Sequence, residues 1–113
     1  MAEIRTNKKN NVLLIAVYGE IDAESSIYLD NALKEAIENN EKQIAVDLTK
    51  LNYISSAGLG VFISHLDEFE IENIRLVLFG ISESVKEVFA ILGLEKLLKI
   101  TGTEEEAIKS FYE

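Results

Sequence analysis

The stretch from residue 44 to residue 66 constrains this chain more than any other. Ile44-Ala45-Val46-Asp47-Leu48 is a short apolar run of strand character, and Leu59, Phe62, Ile63 and Leu66 fall at i, i+3, i+4 and i+7, the spacing of one face of a helix. Between them, Ser55-Ser56 stands directly ahead of the helical pattern, where a serine hydroxyl can accept from an unpaired amide of the first turn. The stretch therefore reads as a buried strand passing through a serine pair into a helix.

The flanking sequence repeats this alternation. Residues 4–6 suggest a short edge strand, Asn7-Lys8-Lys9-Asn10-Asn11 follows with asparagines that suit the positive-φ positions of a tight turn, and residues 12–18 form a nearly continuous apolar run, as in a strand covered on both faces. A loop over residues 19–26, with Asp22 or Ser25 as cap, leads into a helix with Leu29, Ala32, Leu33, Ala36 and Ile37 on one side. That helix stops near Asn39-Asn40 and a strand follows over residues 43–48. Beyond Leu66 the acidic run Asp67-Glu68-Phe69-Glu70 reads as the solvent-facing tail of the second helix. Residues 74–79 are a further strand, and Val85, Val88, Phe89 and Leu92 stripe a third helix that Gly93 ends. Residues 97–100 form a last strand, and Thr103 with Glu106 makes a capping box for a final helix packed through Ala107, Ile108 and Phe111.

The order is β-β-α-β-α-β-α-β-α. Alternation of this kind predicts an α/β fold with right-handed crossovers: a mostly parallel central sheet of about five strands, about four helices and an N-terminal hairpin at the edge. At 113 residues the chain suits one domain, residues 1–113. In such a sheet function gathers beyond the carboxyl ends of the strands, which points to residues 19–23, 49–56 and 80–83, with Leu51 and Ile54 tucked inward.

Composition and spacing narrow the chemistry. No apolar stretch approaches the roughly 18 residues of a membrane span, and the start of the sequence has no basic-then-apolar signal pattern, so a cytoplasmic location is expected. The absence of cysteine excludes disulfides and thiolate chemistry, and the net charge of −9 disfavours nucleic acid or an anionic membrane. A serine-histidine pairing fails on geometry. His65 follows Ser56 by nine residues, which on one helix places it on the opposite face about 13 Å along the axis; His65 is read as a surface residue. Gly58 and Gly60 lack the lysine of a phosphate-binding loop and the third glycine of a dinucleotide fingerprint, leaving close backbone packing as the alternative. Glu104-Glu105-Glu106 is a solvated first helical turn rather than a metal site. Asp22 and Asp47, expected at the same end of the sheet, are either site residues or loop-pinning acceptors. No cofactor and no metal is expected.

Three segments carry a resemblance: Gly19-Glu20-Ile21-Asp22, residues 46–60, and Leu92-Gly93-Leu94-Glu95-Lys96-Leu97-Leu98-Lys99-Ile100. Together they resemble the STAS domain of bacterial anti-sigma factor antagonists over essentially the whole chain. The resemblance implies a non-enzymatic partner-switching protein that binds an anti-sigma factor, itself a serine kinase, and so frees a sigma factor. It implies that phosphorylation of Ser56 abolishes binding and that a phosphatase resets the switch. The family pattern has Asp before the acceptor and Ser or Thr after it; here these are Ser55, a second-choice acceptor, and Ala57. The implied docking surface comprises Asp22, Ser55, Gly58, Gly60, Val61, Ser64 and His65. The alternative that keeps the fold is a constitutive adaptor in a signalling or lipid-transport complex, without phosphorylation.

Overall fold

The computed structural model of the chain describes residues 2–112. In chain order its elements are β1 (Ala2–Lys9), β2 (Val12–Ile21), α1 (Ser26–Glu38), β3 (Gln43–Asp47), β4 (Leu51–Ile54), α2 (Ser56–Ser64), α3 (Leu66–Ile71), β5 (Arg75–Phe79) and α4 (Glu83–Ile91), then one 3₁₀ turn (Leu94–Lys96), β6 (Lys99–Thr101) and α5 (Glu104–Ser110). The strands form one six-stranded sheet in the order β1-β2-β3-β5-β6, with β4 pairing with β2 beyond the end of β3. Among the described residues β1 and β2 pair antiparallel and every other pairing is parallel.

Two apolar clusters explain the continuous apolar runs. Ile15, Val17, Ile44, Val46 and Leu78 pack on one face of the sheet against Leu29, Leu33, Leu59, Phe62, Phe69, Val85 and Phe89 from α1 to α4. Val12, Leu14, Ala45, Val77 and Phe79 pack with Ala107 and Phe111, so α5 serves the other face. Successive side chains of a strand point to opposite faces, and a strand covered on both must therefore be apolar at nearly every position.

The turn residues behave as their chemistry requires. Asn10, Asn11 and Asn40 have φ of 52°, 63° and 59°, and Gly93 has φ of 71°, in the left-handed region that asparagine and glycine tolerate best. Thr103 and Glu106 form the expected reciprocal capping box.

Several expectations need correction. Residues 51–54, expected within a loop, form β4 and bring the expected sheet of about five strands to six: the Gly19 N–H donates to the Lys50 carbonyl and the Ser55 N–H to the Ile21 carbonyl, extending β2 through residues 19–21. The edge strand β1 spans eight residues, well beyond 4–6, and takes in Asn7, Lys8 and Lys9, so the turn expected over residues 7–11 is confined to Asn10 and Asn11. The second helix ends at Ser64, where the His65 N–H bonds the Phe62 carbonyl in a tight i→i−3 turn, and a separate α3 begins. Asp67 and Glu68 thus occupy the first turn of α3, where the helix dipole favours acids, instead of a disfavoured C-terminal tail. Ile63 is 41% and Leu92 52% exposed, so neither belongs to its expected buried stripe. The last strand begins at Lys99, after the 3₁₀ turn.

Candidate functional site

The carboxyl ends of β2 and β4 lie side by side, with Ile21 opposite Ile54. The Ser55 N–H donates to the Ile21 carbonyl at 2.7 Å. This pairing brings the chain entering Asp22 against the chain entering Ser56.

Within the serine pair the two residues do different work. Ser55 has extended backbone and its hydroxyl accepts the Gly58 N–H at 3.2 Å, so Ser55 is the N-cap of α2. Such a side chain satisfies one of the otherwise unpaired donors of the first turn. Ser56 is the first helical residue and is exposed, while Ser55 is half-buried. Among the described residues the Ser56 hydroxyl makes no side-chain hydrogen bond, in contrast to that of Ser55. Ser56 is thus not itself the cap, although its side chain stands at the same positive helix end.

The two glycines differ as well. A Cβ on Gly58 would lie 2.6 Å from Ile21 Cγ2 and 2.7 Å from Ile54 Cγ1, whereas one on Gly60 would meet nothing within 4 Å. Gly58 is buried and lets the start of α2 close onto the β2–β4 pair; it offers no surface to a partner. Gly60 is exposed with Ser56, Ala57, Ile63 and Ser64. None of the nine residues of α2 is charged, and its outer face is small and neutral. Val61 is half-buried against the core, and the Ser64 hydroxyl donates to the Val61 carbonyl at 2.7 Å.

Asp22 is exposed and accepts the Ser25 N–H on Oδ1 at 2.8 Å, with the Ser25 hydroxyl also 2.8 Å from that oxygen. These bonds favour the ionised form and hold the Asp22 carboxyl below its ordinary range. The Ser25 hydroxyl in turn accepts the Asp22 N–H at 2.9 Å. Asp47 accepts the Thr49 N–H at 2.9 Å and the Thr49 hydroxyl at 2.7 Å, which is the loop-pinning role.

His65 is the main correction to the site. It is buried at 6% exposure, not on the surface, with Nε2 2.7 Å from Asp30 Oδ1 and its ring stacked on Phe69 at 5.8 Å. Lys34 lies 3.0 Å from the other Asp30 oxygen. Lys34 first, and then His65, holds the Asp30 carboxyl below its ordinary range, against partial burial that would raise it. His65 therefore ties the α2–α3 junction to α1 from within the fold. The Asp30–His65 pair, separated by 35 residues, left no sequence signal. Nor was Tyr53 singled out, although it is 50% exposed on β4 just ahead of the serine pair; its position as the second of two outward residues between Leu51 and Ile54 was the available clue.

Among the described residues, no group of three or more His, Asp or Glu side chains is placed to hold a metal ion, and no helix is long and apolar enough to cross a membrane.

The model of the STAS domain matches residues 3–107. The anti-sigma-B factor antagonist of Listeria monocytogenes is 36% identical over 96 residues, covering 81% of this chain and 81% of that protein. Among solved structures, an anti-sigma factor antagonist from Mycobacterium paratuberculosis has a TM-score of 0.91 at 17% identity, covering 100% of this chain and 96% of that one. The Bacillus cell fate determinant SpoIIAA in its phosphorylated form has a TM-score of 0.73 at 23% identity, covering 96% and 99%. The structural likenesses bear on the fold, while the domain match and the Listeria relative establish descent. The chain belongs to the STAS-domain family.

Proposed function

We propose that this chain is an anti-sigma factor antagonist: unmodified, it binds an anti-sigma factor and frees a sigma factor, and phosphorylation of Ser56 ends that binding. The partner is itself the serine kinase, a phosphatase restores the unmodified form, and the cycle runs in the cytoplasm. The chain catalyses nothing.

The observation that carries this reading is the exposed Ser56 hydroxyl at the start of an uncharged helix, beside a Ser55 hydroxyl already used as the cap. Capping and half-burial disfavour Ser55 as the acceptor. A phosphoryl group on Ser56 meets the positive end of the helix dipole, worth about 0.3–1 kcal/mol at an exposed site, so the domain tolerates the modification. The same group brings about −1.5 to −2 charges to a small, neutral face. A binding penalty of about 3 kcal/mol weakens association more than 100-fold, enough to switch partners without refolding. Asp22, Gly60, Val61 and Ser64 form the surrounding contact surface with Tyr53. Gly58 and His65 act from beneath it, by seating α2. Ser55 in place of the family's Asp keeps the cap, since both residue types serve there well.

Incubation of the chain with ATP and an extract of its native cells, followed by site mapping, tests this reading. One phosphate on Ser56, absent from Ser56→Ala, is expected. No phosphate, under conditions that modify a control substrate, refutes the switch and leaves the constitutive adaptor.

A further inference from the structure

The sheet ends on one side in β1, an eight-residue strand paired through all eight positions with β2 and with no shift of register. Among the described residues its other edge faces no strand. Native sheets blunt such edges with proline, bulges or charged side chains; the chain has no proline, β1 has no bulge, and its charges are of both signs, each in an intrachain pair at the surface: Glu3 with Arg5 at 2.6 Å, Lys8 with Glu41 at 2.5 Å and Lys9 with Glu104 at 3.0 Å. Between β1 and α1 runs an open groove of about 330 Å³, lined by Ile4, Thr6, Leu13, Tyr28 and Ala32 among others. Tyr28 is 57% exposed there.

We infer that the β1 edge is a self-association surface on which a second copy of this chain pairs antiparallel, β1 to β1, joining two sheets into one. The sequence of β1 is complementary to itself in one register. Across a two-fold axis at Thr6, Glu3 faces Lys9 and Lys9 faces Glu3, Arg5 faces Asn7, and Ile4 faces Lys8 along its aliphatic stem; the intrachain Glu3–Arg5 and Lys9–Glu104 pairs are solvent-exposed and weak, so exchanging them for the pair across the axis costs little. Paired residues on one face interact directly, and opposite charges there are favourable. Moving the axis one residue to Arg5 opposes two arginines, and moving it to Asn7 opposes Arg5 to Lys9, so the charge pattern disfavours both. The two-fold axis also sets the grooves and Tyr28 side chains of the two copies on the same side of the joined sheet, where the half-buried Ile4 and exposed Tyr28 supply apolar contact. Ser56 itself stays free, because β4, from which the chain enters α2, pairs with β2 on the side away from β1; Asp22, by contrast, borders Ala2 and Tyr28 at the end of this edge.

A single strand pair buries less than the ~1,200 Å² of a stable complex, so the dimer is a weak one. Two copies of net charge −9 also repel at long range, a repulsion screened at ~0.15 M salt, where the Debye length is about 8 Å. The chain has no cysteine, which makes a register test available. Directly opposed residues place their Cβ atoms about 4.5–5.5 Å apart, close enough for a disulfide after small adjustment. Under mild oxidation Thr6→Cys is expected to cross-link into a dimer at least tenfold faster than Lys8→Cys or Asn7→Cys, all three being exposed positions. Sedimentation at chain concentrations up to ~1 mM, high enough to populate a dimer with a Kd of that order, is expected to show dimer for the parent chain, little for Glu3→Lys, and recovery for Glu3→Lys with Lys9→Glu. Equal cross-linking at the three positions, a parent chain monomeric throughout that range, or a dimer indifferent to Glu3→Lys would each overturn the inference.

Discussion

Gly58 and Gly60 share a helix and differ in what surrounds them, so the same substitution at each isolates the effect of packing on the site. An alanine Cβ at Gly58 would stand 2.6 Å from Ile21 Cγ2 and 2.7 Å from Ile54 Cγ1, closer than carbon atoms can approach. Neither isoleucine can give way easily, because Ile21 is 0% and Ile54 3% exposed. Room comes only from rotamer strain or from lifting the start of α2 off the β2–β4 pair, a class of change that costs about 1–3 kcal/mol. Against this stands the gain of about 0.5–1 kcal/mol for alanine over glycine inside a helix. Gly58→Ala should therefore lose about 0.5–2 kcal/mol net, whereas Gly60→Ala, with nothing within 4 Å, should gain about 0.5–1 kcal/mol. Urea unfolding at fixed temperature reads both, with slope m unchanged if the transition stays two-state. A Gly58→Ala protein as stable as Gly60→Ala would refute the close-packing account of residue 58 and reopen a surface role for it.

The other expectations concern the serines, the buried histidine and acid stability. Ser55→Ala should cost about 0.5–2 kcal/mol through loss of the cap, Ser55→Asp should stay within about 0.5 kcal/mol of the parent, and Ser56→Ala should be as stable as the parent; chemical denaturation separates the three. His65→Ala should lose about 2–4 kcal/mol, from the emptied ring site and the lost hydrogen bond to Asp30, where a surface histidine would cost about 0.5 kcal/mol or less. The Asp22 and Asp30 carboxyls have folded pKa values below their unfolded ones. Each contributes stability that is present above the unfolded value of about 3.9 and is lost as pH falls through the lower folded value. The Asp22→Asn/Asp30→Asn protein should accordingly be less stable than the parent at neutral pH and lose less between about pH 5 and about pH 2, as followed by acid-dependent urea midpoints.

What the sequence disclosed and what it withheld follow from the range of the interactions involved. Alternating apolar runs, asparagine turns and the Thr103–Glu106 capping box are local, and they led to the α/β order, the mostly parallel sheet and the N-terminal hairpin. Strand β4 was hidden because Leu51-Asn52-Tyr53-Ile54 is too short to show a period, and its identity depends on residues 19–21 arriving alongside it. The break after Ser64 was hidden for a related reason. Leu59, Phe62, Ile63 and Leu66 keep a helical spacing, yet burying His65 against Asp30 of α1 turns the chain and puts Ile63 outside. At the site, the motif located Ser55 and Ser56 at a helix start, but it could not assign the cap to one and the free hydroxyl to the other. That division depends on which side chain the Gly58 amide meets, and on the β2–β4 pairing that fixes the entry of the chain into α2.

The central claim is that a partner reads the state of the Ser56 hydroxyl on a surface that does not otherwise change. Titration of the anti-sigma factor recovered from the native cells against the unmodified chain, the chain phosphorylated on Ser56, and Ser56→Ala tests it most directly, with circular dichroism confirming that all three are folded. The account predicts tight binding by the unmodified chain and by Ser56→Ala, and binding at least 100-fold weaker, about 3 kcal/mol, for the phosphorylated chain. Equal affinity of the phosphorylated and unmodified forms would contradict it.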